Sequence, residues 1–494
     1  MTQRTGAAGS APRPSRRSLL AGAALAGLAG AAGPLVTSAR AAPTTRLAMT
    51  SGSSQLVADF TWARQRALDW VQTGRQPGYI PCYWAGLTNR PAFYSRDFAH
   101  QALGAHLLGL DAENLSMLRT FAASATSARK WYPLWSFGFD GSIYRTDYKS
   151  DTNFVREIPA VFELTQKGVE QYLWTGNRAY VDDSRLFSYY TNSVNAFVTA
   201  HDDNRNTVAD EDGTGSIFKG VASYNENKEK LLEAGDGIGS QYQALRAYAI
   251  AQAARGDSGG AAATNQRAAA LKSHFERNWW STSAGRYIRG FNASGALTNF
   301  GKENSWFMPM KEITAAGSRT NAYLDFVDSS VSALPRFNIE AYTYLPETFF
   351  RWFRVTQGWK WFRFVADSRA AYPEVSYTII GNIAEGLLGI RPNAPAAALS
   401  TLSNLPSAVP WVRLDHVMLG QHDLAVRHDG TRGSVLTHHA GPRTLNWTAQ
   451  FPGPRDTLRV NGQVRPATVQ NINGRSISFV VVAVPPGSEA TVTF

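Results

Sequence analysis

The sequence predicts a mainly α protein, an (α/α)6 toroid followed by a small C-terminal antiparallel β-sandwich. Three observations predict it. Between residues 55 and 395, apolar residues recur at helical spacing in ten to twelve segments. Period-two alternation is nearly absent there. From Asp423 onward that alternation takes over, punctuated by turn pairs. Helices joined as hairpins explain the first stretch better than alternating strands and helices would.

The helical segments run in order. Segment 55–73 places Leu56, Val57, Phe60, Ala63, Ala67, Leu68 and Val71 on one face, and 95–110 does the same with Phe98, Ala102, Leu103, Ala105, Leu107 and Leu108. Others fall at 112–128, 154–175, 183–200, 239–255, 262–278, 321–333, 346–355, 357–368 and 376–389, with stops at Gly176-Asn177 and Gly389. Pro392, Pro395, Pro406 and Pro410 mark a linker over 396–422. Residues 423–494 then alternate at Leu424/Val426, Val435/Thr437, Leu445/Trp447, Leu458/Val460 and Ile477 to Val482. The turns are Asp429-Gly430, Asn461-Gly462 and Asn473-Gly474. This domain is expected to buttress the helices.

Residues 1–41 read as a signal peptide. Arg16-Arg17 precedes an Ala-, Gly- and Leu-rich core, and Ala39-Arg40-Ala41 supplies a small-x-small cleavage site. The arginine pair suggests the twin-arginine export route, so a secreted protein without an integral membrane anchor is expected. Residues 42–54 join this segment to the helices. The segment holds five arginines and no acidic residue, so the formal charge of +11 falls to +6 without it. The remaining basic residues are scattered, which argues against a nucleic-acid partner. Cys82 is the only cysteine, so no intrachain disulfide can form. The 14 tryptophans are a hint of sugar-stacking faces as well as of core.

General acid–base chemistry needs carboxyl groups where a ligand can reach them. Three stretches stand out. Tyr94-Ser95-Arg96-Asp97 opens a helix with a charged pair. Glu233-Ala234-Gly235-Asp236-Gly237-Ile238-Gly239 places two acids in a glycine-rich loop before a helix. Tyr372-Pro373-Glu374 puts an acid just before the helix at 376, which Ser376 could cap. Each has a plain structural explanation, as a helix cap or a dipole partner. Glu157, Glu303 beside Trp306, Glu340 and Glu347 are further candidates. Asp202, Asp203, Asp210, Glu211 and Asp212 form an acidic turn without EF-hand spacing. No zinc-protease helix, serine nucleophile elbow or P-loop is present, and His438-His439 reads as part of a strand. No metal or cofactor is expected.

Several of these motifs resemble the six-hairpin glycosidases. They are Arg156-Glu157-Ile158-Pro159 through Tyr172, Thr175-Gly176, the Glu233 to Asp236 loop, Arg96-Asp97, and Ser376-Tyr377 through Glu385 to Ile390. The last helix and trailing β domain are most similar to bacterial α-L-rhamnosidases. The acid loop is more similar to trehalases and related α-glucosidases. The resemblance implies an enzyme that hydrolyses glycosidic bonds of an oligo- or polysaccharide. It implies Asp236 as general acid, Glu374 as general base, and inversion at the anomeric carbon. Tyr94, Arg96, Asp97, Glu233, Trp306 and Glu347 would then hold substrate, with Glu233 an alternative acid because the loop lacks one residue of the related pattern. A polysaccharide lyase acting on a uronate polymer and a non-catalytic sugar-binding protein remain as alternatives.

Overall fold

The computed structural model describes residues 45–226, 228–334 and 338–494. The expected signal peptide lies outside the described residues. Among them are twelve α-helices of seven residues or more. They are α1 (Ser54–Asp69), α2 (Ser95–Leu107), α3 (Asp111–Ser124), α4 (Ile158–Thr175), α5 (Ser184–Val194), α6 (Gly235–Ala254), α7 (Ser258–Asn278), α8 (Glu303–Met310), α9 (Ser318–Ala333), α10 (Leu345–Arg351), α11 (Val355–Ser368) and α12 (Pro373–Gly381).

Even- and odd-numbered helices differ in environment. Helix α2 is buried at every residue but one, and α12 at every residue. Helix α7 buries only five residues, Ala261, Thr264, Ala268, Leu271 and Phe275, one stripe at helical spacing. The even helices pack on one another in series. Helix α2 meets α4, α4 meets α6, α6 meets α8 and α8 meets α10. Helix α10 meets a π-helical turn, Asn382–Leu387, that continues α12, and α12 returns to α2. Each odd helix packs on at least one even helix.

The ends follow local chemistry. Ser53, Asp183 and Asp257 cap α1, α5 and α7 with their side chains. Helix α4 begins with Pro159 in its first turn and ends at Gly176, whose φ of 63° suits glycine. The lone Cys82 is buried, and burial first, then Glu113 and Asp140, push its thiol up to about 12. Among the described residues, no helix is long and apolar enough to cross a membrane.

Among the described residues, nine short strands, such as Phe93–Tyr94 and Gly290–Asn292, lie among the helices, and the strands of the two larger sheets extend beyond the stretch expected to hold them. They are β1 (Ala48–Ser51), β2 (Arg391–Asn393), β3 (Ala398–Leu402), β4 (Trp411–Leu419), β5 (His422–Asp429), β6 (Gly433–Ala440), β7 (Leu445–Pro452), β8 (Thr457–Val460), β9 (Gln463–Pro466), β10 (Thr468–Ile472), β11 (Arg475–Val484) and β12 (Ser488–Thr493). One sheet has the order β1-β4-β5-β6-β12-β8-β9 and the other β2-β3-β7-β11-β10. Both stretches expected as linkers therefore supply strands. Residues 48–51 pair with β4, and 396–422 contributes β3 and β4. Tertiary pairing overrides the prolines: Pro406 and Pro410 fall outside the paired segments, and Pro392 lies within β2 opposite Leu399. The β3–β7 pair is parallel, so this sheet is mixed and not purely antiparallel.

The β domain meets the helical body through polar contacts. Asn473, at φ 47° in an Asn-Gly hairpin turn, donates to Glu312 Oε1 (2.8 Å) and to the Arg351 carbonyl (2.9 Å). His428 Nε2 lies 3.0 Å from the Leu388 carbonyl, and His106 Nε2 lies 3.0 Å from that of Met418.

The α2–α12 contact depends on Gly104. A Cβ there would lie 2.2 Å from the Tyr377 carbonyl oxygen. Gly104→Ala should cost about 1–3 kcal/mol, because two buried helix backbones must part. A lowered denaturant midpoint at unchanged slope would report this, and a midpoint equal to that of the native chain would refute it.

Candidate active site

The even helices share a property at their N-termini. None of the six has a side-chain cap. Five carry an acid in the first turn: Asp97 on α2, Asp236 on α6, Glu303 on α8, Glu347 on α10 and Glu374 on α12. Glu157 is itself the N-cap residue of α4, and Glu340 opens a short helical turn just before α10. Uncapped N–H groups and the positive dipole end favour anions here.

Arg96 stands among these acids. Its guanidinium pairs with Glu340 and lies 3.5 Å from Glu226. It donates to the Tyr224 carbonyl at 3.1 Å and packs over the Tyr224 ring, 4.9 Å from its centroid. Beside it, Asp97, Glu340 and Glu374 converge until an oxygen of each lies within 4.8 Å of the others. The Tyr372 hydroxyl donates to Asp97, and Thr343 donates to Glu374.

Burial of like charges sets the protonation of Asp97 and Glu374. Burial, then Glu340, pushes Asp97 up to about 7, against the pull of Arg96 and Tyr372. Burial, then Asp97 and Glu340, holds Glu374 well above the usual carboxylate range. Carboxyls this close share protons and titrate together. Glu303 is raised to about 7 by burial, and Glu157 is raised further by burial and Glu226. Several buried polar atoms have no protein partner, among them Glu374 Oε2, Glu157 Oε1 and Tyr344 Oη. A buried polar group without a partner is costly unless water or a ligand meets it.

Of the residues singled out in the sequence, the structure brings together Arg96, Asp97, Glu340 and Glu374, with Glu157 and Glu303 within reach of the Arg96 charge. It places the others elsewhere. Asp236 is fully buried, and its carboxylate accepts from the Ser223 hydroxyl (2.9 Å) and the backbone N–H groups of Tyr224 (2.7 Å) and Gly237 (3.2 Å). It fixes the loop that presents Tyr224 to Arg96. Glu233 accepts from Asn204 and from Asn206 (2.7 Å). Glu347 is half-buried and pairs with Arg351. Burial opposes its charge, but Arg351 and Lys167 outweigh burial and keep it below the usual range. Trp306 is fully buried against Phe300, and Tyr94 packs edge-on against Trp135. The acidic turn is held by its own backbone, with Asp202 accepting from Asn206 and Thr207.

Two local expectations are corrected. The glycine-rich stretch is the first turn of α6 and not a loop. A Cβ at Gly235 would lie 2.2 Å from the Asn304 carbonyl, so the glycines serve close packing of α6 on α8. Helix α12 begins at Pro373, so Glu374 sits within its first turn. Ser376 does not cap it, but bonds back to the Pro373 carbonyl at 2.7 Å. The pattern did not single out helix α8, nor Tyr372 and Thr343 as partners of the trio. A tyrosine before a proline at a helix start was the one signal available for Tyr372.

A cavity of about 350 Å³ lies at the seam between the helices and the second sheet, away from the trio. Its wall includes Glu170, Arg246, Glu312, Arg351, Arg391 and Asn473. Arg351 pairs with Glu312 there, so its charges answer one another.

No family model matches the chain, and no curated protein matches it. Solved structures do. An α-L-rhamnosidase from Dictyoglumus thermophilum is 10% identical over 91% of this chain and 50% of that one, with a TM-score of 0.61. A GH78 family rhamnosidase of Bacillus sp. GL1 is 14% identical over 79% of this chain and 40% of that one, with a TM-score of 0.59. A rhamnosidase from Klebsiella oxytoca, with rhamnose bound, is 13% identical over 68% of this chain and 64% of that one, with a TM-score of 0.53. At these identities the likeness shows a shared fold, a helical body with a β domain. The matches cover 40% to 64% of the length of those three chains.

Burial raises Asp236 from 3.8 to about 7 despite its hydrogen bonds. The unfolded chain therefore loses this proton near pH 4 and the folded chain near pH 7. Stability from this group is full below pH 4 and falls as pH rises toward 7. Asp236→Asn removes that dependence. Relative to the native chain, the variant should gain on the order of 2–4 kcal/mol between pH 4 and pH 7. Parallel stability curves for the two proteins would contradict the shift.

Proposed function

We propose that this chain is an exported glycoside hydrolase whose even-numbered helices close the inner ring of an (α/α)6 toroid. The reading rests above all on one observation. Asp97 and Glu374 are buried, raised and mutually close, beside a third carboxyl neutralised by Arg96. Glycosidic cleavage needs one carboxylic acid to protonate the leaving oxygen and one carboxylate to activate water or attack carbon. A coupled pair holding one proton between them supplies both forms at neutral pH. The fold shared with rhamnosidases supports the same reaction class, and makes a terminal α-L-rhamnoside the first substrate to test.

The role implied for Asp236 passes to Asp97 in this reading. Asp236 has its oxygens occupied and acts as a positioning residue, through Tyr224 and Arg96. Glu374 keeps its place in the reacting pair. Its free Oε2, with Tyr344 Oη and Glu157 Oε1, would face the bound sugar. The stereochemical course has two candidate geometries. Retaining pairs stand about 5–5.5 Å apart and inverting pairs roughly 6.5–9.5 Å. The compact trio favours the first, and the resemblance implies the second, so the first-formed anomer seen by NMR assigns the course.

Asp97→Asn and Glu374→Gln should each lower kcat on an activated aryl glycoside by about 10²–10⁴-fold with the fold intact. Asp236→Asn should stay within about tenfold of the native rate. Near-native turnover by either of the first two variants would sink the pair. Loss of activity only in Asp236→Asn would restore the acid role to that residue. An ultraviolet-absorbing unsaturated product would replace hydrolysis with elimination.

A further inference from the structure

A second cluster of ligating groups lies on the β domain, far in sequence from the carboxylates. Strand β5 runs between β4 and β6, and each neighbour carries one extra residue against it. On β4, Leu414 pairs with Val426 and Val417 with Leu424, so Asp415 and His416 stand where β5 has only Ala425. On β6, His438 pairs with Leu424 and Ala440 with Asp423, which leaves His439 as the inserted residue. His438-His439 is thus a strand residue followed by a bulge. Bulges re-aim side chains, and these two do so toward each other. His416 also holds a left-handed φ of 59°, which histidine adopts only at some cost.

The result is a convergent set of donors. His439 Nε2 lies 2.7 Å from Asp415 Oδ1, and the His416 and His439 ring centroids are 5.3 Å apart. One ligating atom from each of Asp415, His416 and His439 falls within 4.8 Å of the other two. The other oxygen of Asp415 is held by Arg413 at 3.0 Å, and His416 Nδ1 lies 3.1 Å from Asp423. Such outer partners orient ligands in metal sites. The Arg46 guanidinium lies 3.1 Å from both Asp423 and His416 Nδ1, so a positive group already sits beside these atoms. Arg46 is mostly exposed and can swing aside.

We propose that Asp415, His416 and His439 form a binding site for a divalent transition-metal ion of the Zn²⁺ class. Two imidazoles and one carboxylate suit Zn²⁺, Cu²⁺ or Ni²⁺, whereas Ca²⁺ and Mg²⁺ call for oxygen donors. Around a zinc ion bound at about 2.0–2.2 Å, ligand atoms stand roughly 3.3–3.6 Å apart, so His439 Nε2 and Asp415 Oδ1 must part slightly while the His416 nitrogen closes in, changes that side-chain rotation supplies. Asp415 pairs in register with Ala48 of β1. An ion here therefore fastens the bulged β4 edge where the N-terminal strand joins the sheet, and binding to the folded state alone raises its stability.

The test is calorimetric titration of the chelator-stripped full chain with Zn²⁺, and separately with Ca²⁺. The native protein should take up one more equivalent of Zn²⁺ than the His416→Ala/His439→Ala double variant, and no Ca²⁺ at this site. Single variants His439→Ala and Asp415→Asn should weaken that equivalent by about 10–100-fold or more. Added Zn²⁺ should raise the Tm of the native chain and leave that of the double variant unchanged. Equal Zn²⁺ uptake by the native and double-variant proteins would overturn the proposal. So would a native chain that binds none. Circular dichroism and the metal-free Tm establish that the variants are folded, and His439→Gln, closer in size, serves in place of any alanine variant that is not.

Discussion

One electrostatic constraint organises this molecule. The even-numbered helices present uncapped N-termini that bear acids, and Arg96 stands among the acids of four of them and the Glu340 turn. Helix dipoles and free N–H groups favour negative charge there. Burial opposes it. A single guanidinium can neutralise only part of the set, so the remaining carboxyls hold protons at pH values where exposed acids would not. The pair Asp97 and Glu374 is the clearest product of that imbalance. Paired charge on Glu340, shared protons on its neighbours and unpartnered oxygens all follow from placing many acids around one cation.

The rest of the fold serves this convergence. Helix α6 approaches α8 closely because Gly235 has no side chain, and α2 approaches α12 because Gly104 has none. Asp236 locks the segment that carries Tyr224, and Tyr224 in turn supports Arg96 through its carbonyl and its ring. At the seam with the β domain the balance is different. Charges such as Arg351, Glu312 and Glu347 occur there as complementary pairs, and the Asn473 turn locks the two parts together. Paired charge suits a seam that must stay closed. Unpaired buried acid suits a place where a substrate completes the set.

Much of this was legible in the sequence. Helical periodicity marked most of the twelve helices, and a change of period marked most of the second-domain strands. Arg96, Asp97 and Glu374 stood out because charged residues opened apolar helices. Other features resisted the pattern. The glycines that open α6 read as a loop, since sequence cannot distinguish flexibility from close packing. Residues 48–51 and 398–402 read as linker because short strands gain their structure from partners distant in the chain. Trp306 and Glu347 had the right residue types for a sugar site, but one faces the core and the other pairs with Arg351.

By itself the sequence determined the order of helices and strands and the placing of acids at helix starts. These are local properties, written in periodicity and in neighbours along the chain. Only the tertiary structure decided which acids meet. Asp97 and Glu374 are 277 residues apart in the chain and yet share one buried space. Asp236, equally prominent in the sequence, spends its oxygens on its own surroundings. Burial and the distance between charges set protonation, and both exist only after the helices have packed.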